Sequence, residues 1–310
     1  ARGMTLAQCR APAQPPAPKF GWASRFGDPN GFETGGEVVV TADHVYVSGI
    51  VGNTTADVDG VAVPADDGLV GSRPIVIAYR HDGTIDWIRS MGLLARGPFL
   101  LPNPDDAPSL AADDDGNITV VADLQEQEVD GCSTVDYFSM ITASYAPNGD
   151  ERWSEILFGE SVESVTISMD CAQSGTLSNS TMYVQDVAID AAGNSYVIGA
   201  FKGATDLGAG PIEPTWYSRE FLIRYAPDGS VRFARTDLRW WPETVAATTD
   251  GRLILRAPGD GGGARVTTLD AASGDYISEF VVDGYLTDLQ IAANGDLIVS
   301  GFKGFTPMAW

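Results

Sequence analysis

Apolar positions in this chain come in short runs, many alternating with polar ones, and almost nowhere at helical spacing. Glu37-Val38-Val39-Val40-Thr41-Ala42 is followed by Val45-Tyr46-Val47-Ser48-Gly49-Ile50. Pro74-Ile75-Val76-Ile77-Ala78-Tyr79 is followed by Ile85-Asp86-Trp87-Ile88-Arg89-Ser90. Runs this short, rich in β-branched and aromatic residues and bounded by Gly, Asp, Asn and Pro, predict β-strands. Asp82-Gly83, between the last two, predicts a tight hairpin turn, because Gly accepts positive φ and Asp tolerates the left-handed region.

The same unit returns along the chain. Tyr145-Ala146-Pro147-Asn148-Gly149 leads to Trp153, and Tyr225-Ala226-Pro227-Asp228-Gly229 leads to Phe233. Leu269-Asp270-Ala271-Ala272-Ser273-Gly274 is a worn copy. The first hairpin recurs around Asp113-Asp114-Asp115-Gly116-Asn117, Ala192-Gly193-Asn194, Asp250-Gly251 and Asn294-Gly295. Four strands per unit, repeated, predict an all-β propeller of four-stranded antiparallel blades, since one such sheet cannot bury its faces alone. The fifth copy lacks a fourth strand. Phe20-Gly21-Trp22-Ala23-Ser24-Arg25-Phe26-Gly27 matches the Trp-bearing fourth run of the other copies. The expected fold is therefore five-bladed, with the N-terminal strand completing the last blade and removing its bare edge. Residues 1–18, containing Ala11-Pro12-Ala13-Gln14-Pro15-Pro16-Ala17-Pro18, form an expected extended arm, and residues 19–310 form the propeller.

The motif Trp-x-x-x-(Phe/Met)-Gly, then Gly-Asn, then Tyr-Val-x-Gly, continues into Phe201-Lys202-Gly203-Ala204-Thr205-Asp206-Leu207-Gly208 and Phe221-Leu222-Ile223-Arg224-Tyr225-Ala226-Pro227-Asp228-Gly229. It resembles bacterial β-propeller repeats of the SBBP type, found in secreted and surface proteins of myxobacteria and their relatives. The resemblance is densest in the third unit. It implies a propeller outside the cytoplasm and no defined catalytic residues.

Charge and cysteine content narrow the picture. A net charge of −23 opposes binding to nucleic acid phosphates and anionic membranes. No apolar run is long enough to span a membrane. An opening Ala1 in place of Met fits removal of a secretion signal. Cys132 and Cys171, in polar segments of adjacent units, are disulfide candidates in an oxidising compartment, two free thiols being the alternative; the odd Cys9 suits an intermolecular bridge better than lipid attachment.

Candidate chemistry is sparse. Asp113-Asp114-Asp115-Gly116-Asn117 has part of a calcium-loop spacing but lacks the later bidentate Glu, so calcium is the one cofactor to consider and a solvated turn is the plainer reading. Asp57, Asp59, Asp66 and Asp67, with Glu126, Glu128, Asp130 and Asp206, crowd variable loops and give a possible acidic face. His44 and His81 are the only histidines, and both sit in turn-like positions without a nucleophile motif. Asp43, Asp186, Glu243 and Asp288 lie near first strands, where a glycoside hydrolase would place its carboxylates. Trp22, Trp87, Trp153 and Phe233 share one register and read as packing between blades. Trp216-Tyr217 and Trp240-Trp241 break the repeat and are candidates for ligand stacking.

The expectation from sequence is a non-enzymatic extracellular module for binding or assembly. A protein partner or self-association through the arm is expected, and carbohydrate is a possible ligand. The alternatives are a carbohydrate-active enzyme using funnel carboxylates and a lectin.

Overall fold

A computed structural model describes residues 22–27, 33–52, 57–63, 73–91, 107–130, 133–158, 162–164, 181–259, 262–292, 295–303 and 306–309. The expected arm at 1–18, and with it Cys9, lies outside them, as do Cys132 and Cys171.

After a short β1 (Phe26–Gly27), the chain folds into meander sheets. The first contains β2 (Glu33–Val40), β3 (His44–Val51), β6 (Arg73–Arg80) and β7 (Ile85–Ser90). β4 (Asp57–Val58) and β5 (Val61–Ala62) form a small hairpin between β3 and β6. The second sheet contains β8 (Ser109–Ala112), β9 (Ile118–Asp130), β10 (Ser133–Tyr145) and β11 (Glu151–Phe158), with β12 (Val162–Ser164) added beside β10. β13 (Thr181–Ile189), β14 (Ser195–Asp206), β15 (Pro211–Tyr225) and β16 (Val231–Arg235) make the third. β17 (Thr244–Ala247), β18 (Arg252–Pro258), β19 (Ala264–Asp270) and β20 (Tyr276–Val282) make the fourth. The fifth is three-stranded: β21 (Tyr285–Ile291), β22 (Leu297–Lys303) and β23 (Thr306–Ala309).

The hairpins close as their turn residues demand. Gly83, Gly149 and Gly229 take φ of 88°, 81° and 81°, and each donates its N–H to the carbonyl three residues back. The neighbouring Asp82 and Asp228 accept from Thr84 and Ser230, which holds both carboxyls below the ordinary range.

Successive sheets pack face to face. Tyr46, Val76, Ala78 and Trp87 of the first meet Leu110, Val120 and Tyr145 of the second. Val121 and Met140 meet Val187, Val197 and Phe221 of the third. Ile198 and Leu222 meet Val245, Leu255 and Leu269 of the fourth, and Ile254 and Val266 meet Leu286 and Leu289 of the fifth. Stacked four-stranded meanders of this kind are the propeller architecture.

The register aromatics lock the three junctions from the first sheet to the fourth. Trp87 lies against the Gly149 turn, where an added Cβ would come within 2.8 Å of the indole, and its Nε1 donates to Pro147 O at 2.8 Å. Trp153 covers Gly229 and stacks on Tyr225, and Phe233 covers Gly274. Trp22 does the same to the first sheet: it covers Gly83, contacts Tyr79 and donates to His81 O at 3.1 Å.

The expectation that Phe20 to Phe26 runs beside the segment ending at Trp310 meets a different local pairing. Phe20, Gly21 and Trp310 lie outside the described residues. Phe26 and Gly27 pair with Val58 and Asp57, a register fixed by Asp59, which accepts from Arg25 N at 3.0 Å. Among the described residues, β23 pairs only with β22.

Candidate functional site

Two places gather chemistry. The first is the inner edge, where the opening strands of the sheets meet. β2, β13 and β21 each carry a register break, between Gly35 and Val38, Val184 and Asp186, and Leu286 and Asp288. The bulge turns one polar residue inward ahead of an apolar one: Glu37-Val38, Asp186-Val187 and Asp288-Leu289. Gly199 and Gly301 stand opposite because the bulged carbonyls of Tyr183 and Tyr285 lie 2.1 Å from where a Cβ would be.

These carboxylates bind backbone. Glu37 accepts from Leu110 N at 2.7 Å and from Ser109 Oγ at 3.2 Å, both on the second sheet. Asp186 accepts from Val187 N and, on the fourth sheet, from Val245 N, each at 2.7 Å. Asp288 accepts from Leu289 N at 2.7 Å. Burial pushes the Asp186 carboxyl well up, the Glu37 and Asp288 charges add to this, and the two N–H bonds oppose it. Water touches Glu37, yet the surrounding wall strips enough of it that desolvation raises this carboxyl too, with Asp288 contributing.

Of the carboxylates expected in a funnel, the structure brings together Asp186 and Asp288 and adds Glu37. Glu37 was legible as a strand residue but not as their equivalent, because its bulge is not written in the run. Asp43 lies in the turn between β2 and β3. Glu243 is committed to Arg256, at 2.7 Å.

The second place is a cleft beside the junction of the third and fourth sheets. β16 has five residues, and the linker 236–243 that follows packs Leu238 against the core shared by the third and fourth sheets. The cleft has a volume of about 240 Å³. Leu238, Pro242, Leu255, Ala257 and Leu269 give it an apolar lining. Trp240 lies over the Arg265 guanidinium, 3.6 Å from ring centroid to Cζ, and its Nε1 donates to Glu279 at 2.9 Å. Glu279 also pairs with Arg265 and accepts from Thr267 Oγ1 at 3.3 Å. On another wall, Arg235 grips Asp237 through two bonds, 2.9 and 2.7 Å, and reaches Asp275 at 2.9 Å. That grip holds the Asp237 carboxyl below its ordinary range. Arg239 lies over the exposed ring of Tyr276, 5.4 Å from its centroid.

Trp240 is thus in a formed site, with Trp241 partly exposed beside it in sequence. Tyr217 is exposed on β15, away from the cleft lining, and the Trp216 side chain lies outside the described residues. The acidic turn at Asp113 is filled by its own chain: Asp113 accepts from Asp115 N, Asn117 N and Asn117 Nδ2, as Asp190 does from Ala192 and Asn194. Among the described residues no cluster of His, Cys, Asp and Glu is arranged to hold a metal. Asp57 and Asp206 cap turns through Gly60 N, Gly208 N and Gly210 N. Asp66 and Asp67 lie outside the described residues, as do the side chains of Glu126, Glu128 and Asp130. His44 bonds Asp86 at 3.0 Å, and His81 bonds the carbonyls of Thr41 and Ala42. Among the described residues, no helix is long and apolar enough to cross a membrane.

No protein-family model matches the chain, and no curated protein does. Solved structures resemble it at low identity. A chain described as the Dos1 propeller is 12% identical with a TM-score of 0.41, over 87% of this chain and 54% of that one. An apocarotenoid oxygenase of Synechocystis is 11% identical with a TM-score of 0.35, over 91% and 78%. A puromycin hydrolase is 13% identical with a TM-score of 0.29, over 86% and 42%. The chain spans about half the length of the Dos1 propeller chain.

Proposed function

We propose that this chain is a non-enzymatic binding propeller of the SBBP-like kind, five-bladed and working outside the cytoplasm, with the Trp240 cleft as its recognition site. The observation that carries this is the cleft itself: an aromatic and apolar hollow in which Arg235, Asp237, Thr267 and Glu279 of the walls are already bonded to protein partners. Such concave apolar sites, formed in advance of their ligand, are where small molecules bind. Closure by the N-terminal segment is supported by Trp22, which meets the first sheet as Trp87 meets the second. It is further supported by Asp288 acting on Glu37.

The rival, a glycoside hydrolase, draws on the convergence of Glu37, Asp186 and Asp288. A catalytic carboxyl needs an oxygen free to meet substrate. Asp186 has both oxygens on backbone N–H groups and is buried, so its group reads as a clamp between sheets.

Ligand-observed NMR with a library of single-ring compounds, on the protein and on Trp240→Ala, tests the reading. Binders lost in the variant support it. Binders kept at full strength place the site elsewhere. Turnover of chromogenic glycosides that disappears in Asp288→Asn would replace it with the enzyme. Association through residues 1–18 belongs to the same proposal, and a sedimentation mass at the 32.8 kDa monomer at all concentrations removes that part.

A further inference from the structure

We infer that the Trp240 cleft takes a monocarboxylate carried on a single apolar ring, with Arg239 receiving the carboxylate. The inference rests on the binding reading above and adds the ligand class. Size comes first. At about 240 Å³ the cleft is at the small end of ligand pockets, which suits one ring and a short substituent better than an oligosaccharide or a folded peptide.

The lining then decides what kind of ring. Leu238, Pro242, Leu255, Ala257 and Leu269 present carbon. The polar groups along the walls are engaged: Arg235 with Asp237 and Asp275, Glu279 with Arg265, Thr267 and Trp240 Nε1. A sugar would strip water from several hydroxyls and find few partners, which is unfavourable for each one left unmet. An aromatic ring loses nothing of that kind and gains the contacts with Trp240 and the floor.

Charge decides the substituent. In a chain of net −23, the cations around this cleft are matched by carboxylates except one. Arg235 has two, Arg265 has Glu279, and Arg239 has none among the described residues. The Arg239 guanidinium carbon lies 5.4 Å from the Tyr276 ring centroid, and the N–H donors along its edge have no protein acceptor among the described residues. A guanidinium offers those edge donors to a carboxylate as a two-point fork. The arrangement holds an Arg in place and leaves its carboxylate to be supplied from outside.

Titration calorimetry with three probes tests this: phenylacetate, benzyl alcohol as its neutral counterpart, and glucuronate as a ring acid covered in hydroxyls. Phenylacetate is expected to bind best, with benzyl alcohol and glucuronate each at least about tenfold weaker. Arg239→Gln is expected to weaken phenylacetate by about tenfold and leave benzyl alcohol unchanged. Arg239 is exposed and has no carboxylate partner among the described residues, so the melting temperature of the variant should stay close to the parent's, which separates lost recognition from lost folding. Equal affinity for phenylacetate and benzyl alcohol, or no effect of Arg239→Gln, overturns the ligand class and leaves the cleft standing as a site. Best binding by glucuronate does the same in favour of a sugar acid. Silence from all three probes, with an unchanged heat of mixing in Trp240→Ala, overturns the binding reading together with the inference.

Discussion

Replacing Asp186 should measure how firmly neighbouring sheets are clamped. Its carboxylate accepts from Val187 N and Val245 N at 2.7 Å each, so it joins the third sheet to the fourth at the inner edge. In Asp186→Ala both N–H groups lose their acceptor while buried, roughly 1–3 kcal/mol each. Against this stands relief: a desolvated charge is removed from beside Glu37 and Asp288. The net loss expected is about 2–3 kcal/mol. Asp186→Asn removes the charge and keeps one acceptor oxygen, but sets its NH2 donor against the other backbone N–H, so it should lose less than Asp186→Ala, about 1–2 kcal/mol. The two variants should also differ from the parent in pH response. Burial raises the Glu37 and Asp186 carboxyls, so across the range above the ordinary carboxylate value the native state binds more protons than the unfolded chain. Their contribution therefore favours folding most at acid pH and declines as pH rises through the raised values. Asp186→Asn should flatten that decline. Urea unfolding between pH 4.5 and 8, extrapolated linearly, reads both effects. An Ala variant as stable as the parent, with an unchanged pH slope, would refute the clamp and return the inner carboxylates to catalysis.

Other outcomes follow from the same geometry. Gly199→Ala puts a Cβ 2.1 Å from Tyr183 O and 2.5 Å from the Phe221 ring, so the bulge must shift; a loss of about 3 kcal/mol is expected in the same unfolding assay. Trp22→Ala should destabilise by about 2–3 kcal/mol, less than Trp87→Ala at about 4, because Trp22 is only half-buried; hydrogen exchange should rise in β6 and β7. A Trp22 variant without effect on the first sheet removes the support for closure. Gly229→Ala forces positive φ on an L-residue and drives a Cβ into the Trp153 indole, so it should cost more than Gly251→Ala, which shares the φ but has open space around it.

The repeat made most of the architecture legible. Strand runs such as Val45 to Ile50 and the Asp-Gly and Asn-Gly turns are local signals, and the sheets follow them to within a few residues. The shared register of Trp22, Trp87, Trp153 and Phe233 announced packing between units, and each indeed covers the turn glycine of the next sheet. What stayed hidden depends on contacts far apart in sequence. Gly36 and Gly199 look like ordinary strand glycines, but they mark bulges forced by carbonyl or side-chain approach from another strand. Glu37 joins Asp186 and Asp288 only through such a bulge. Of the cleft, Trp240 was visible as a break in the repeat, whereas Arg239 and Tyr276, 37 positions apart in sequence, meet only in the fold.

The placement of recognition follows from how the repeated positions are used. At the inner edge, two of the polar residues ahead of an apolar one are spent on holding the next sheet, Glu37 on Leu110 and Asp186 on Val245. At the outer edge, the fourth-strand aromatic covers a glycine turn, as Trp87 and Trp153 do. A site free to take a ligand therefore needs a unit that departs from the pattern. The third does so: after the five residues of β16 the linker carrying Leu238 to Pro242 lines a cleft on the fourth sheet. That linker supplies Trp240 and Arg239 without disturbing Phe233, which still covers Gly274 at one end of the cleft. Shortening the linker by removing Arg239 to Trp241 should accordingly abolish ligand binding while the third and fourth sheets stay joined through Ile198, Leu222, Val245 and Leu269. Two-state unfolding by both near- and far-ultraviolet dichroism would show that the junction survives. Separate transitions for the two halves would show instead that the linker, and not the shared core, holds them together.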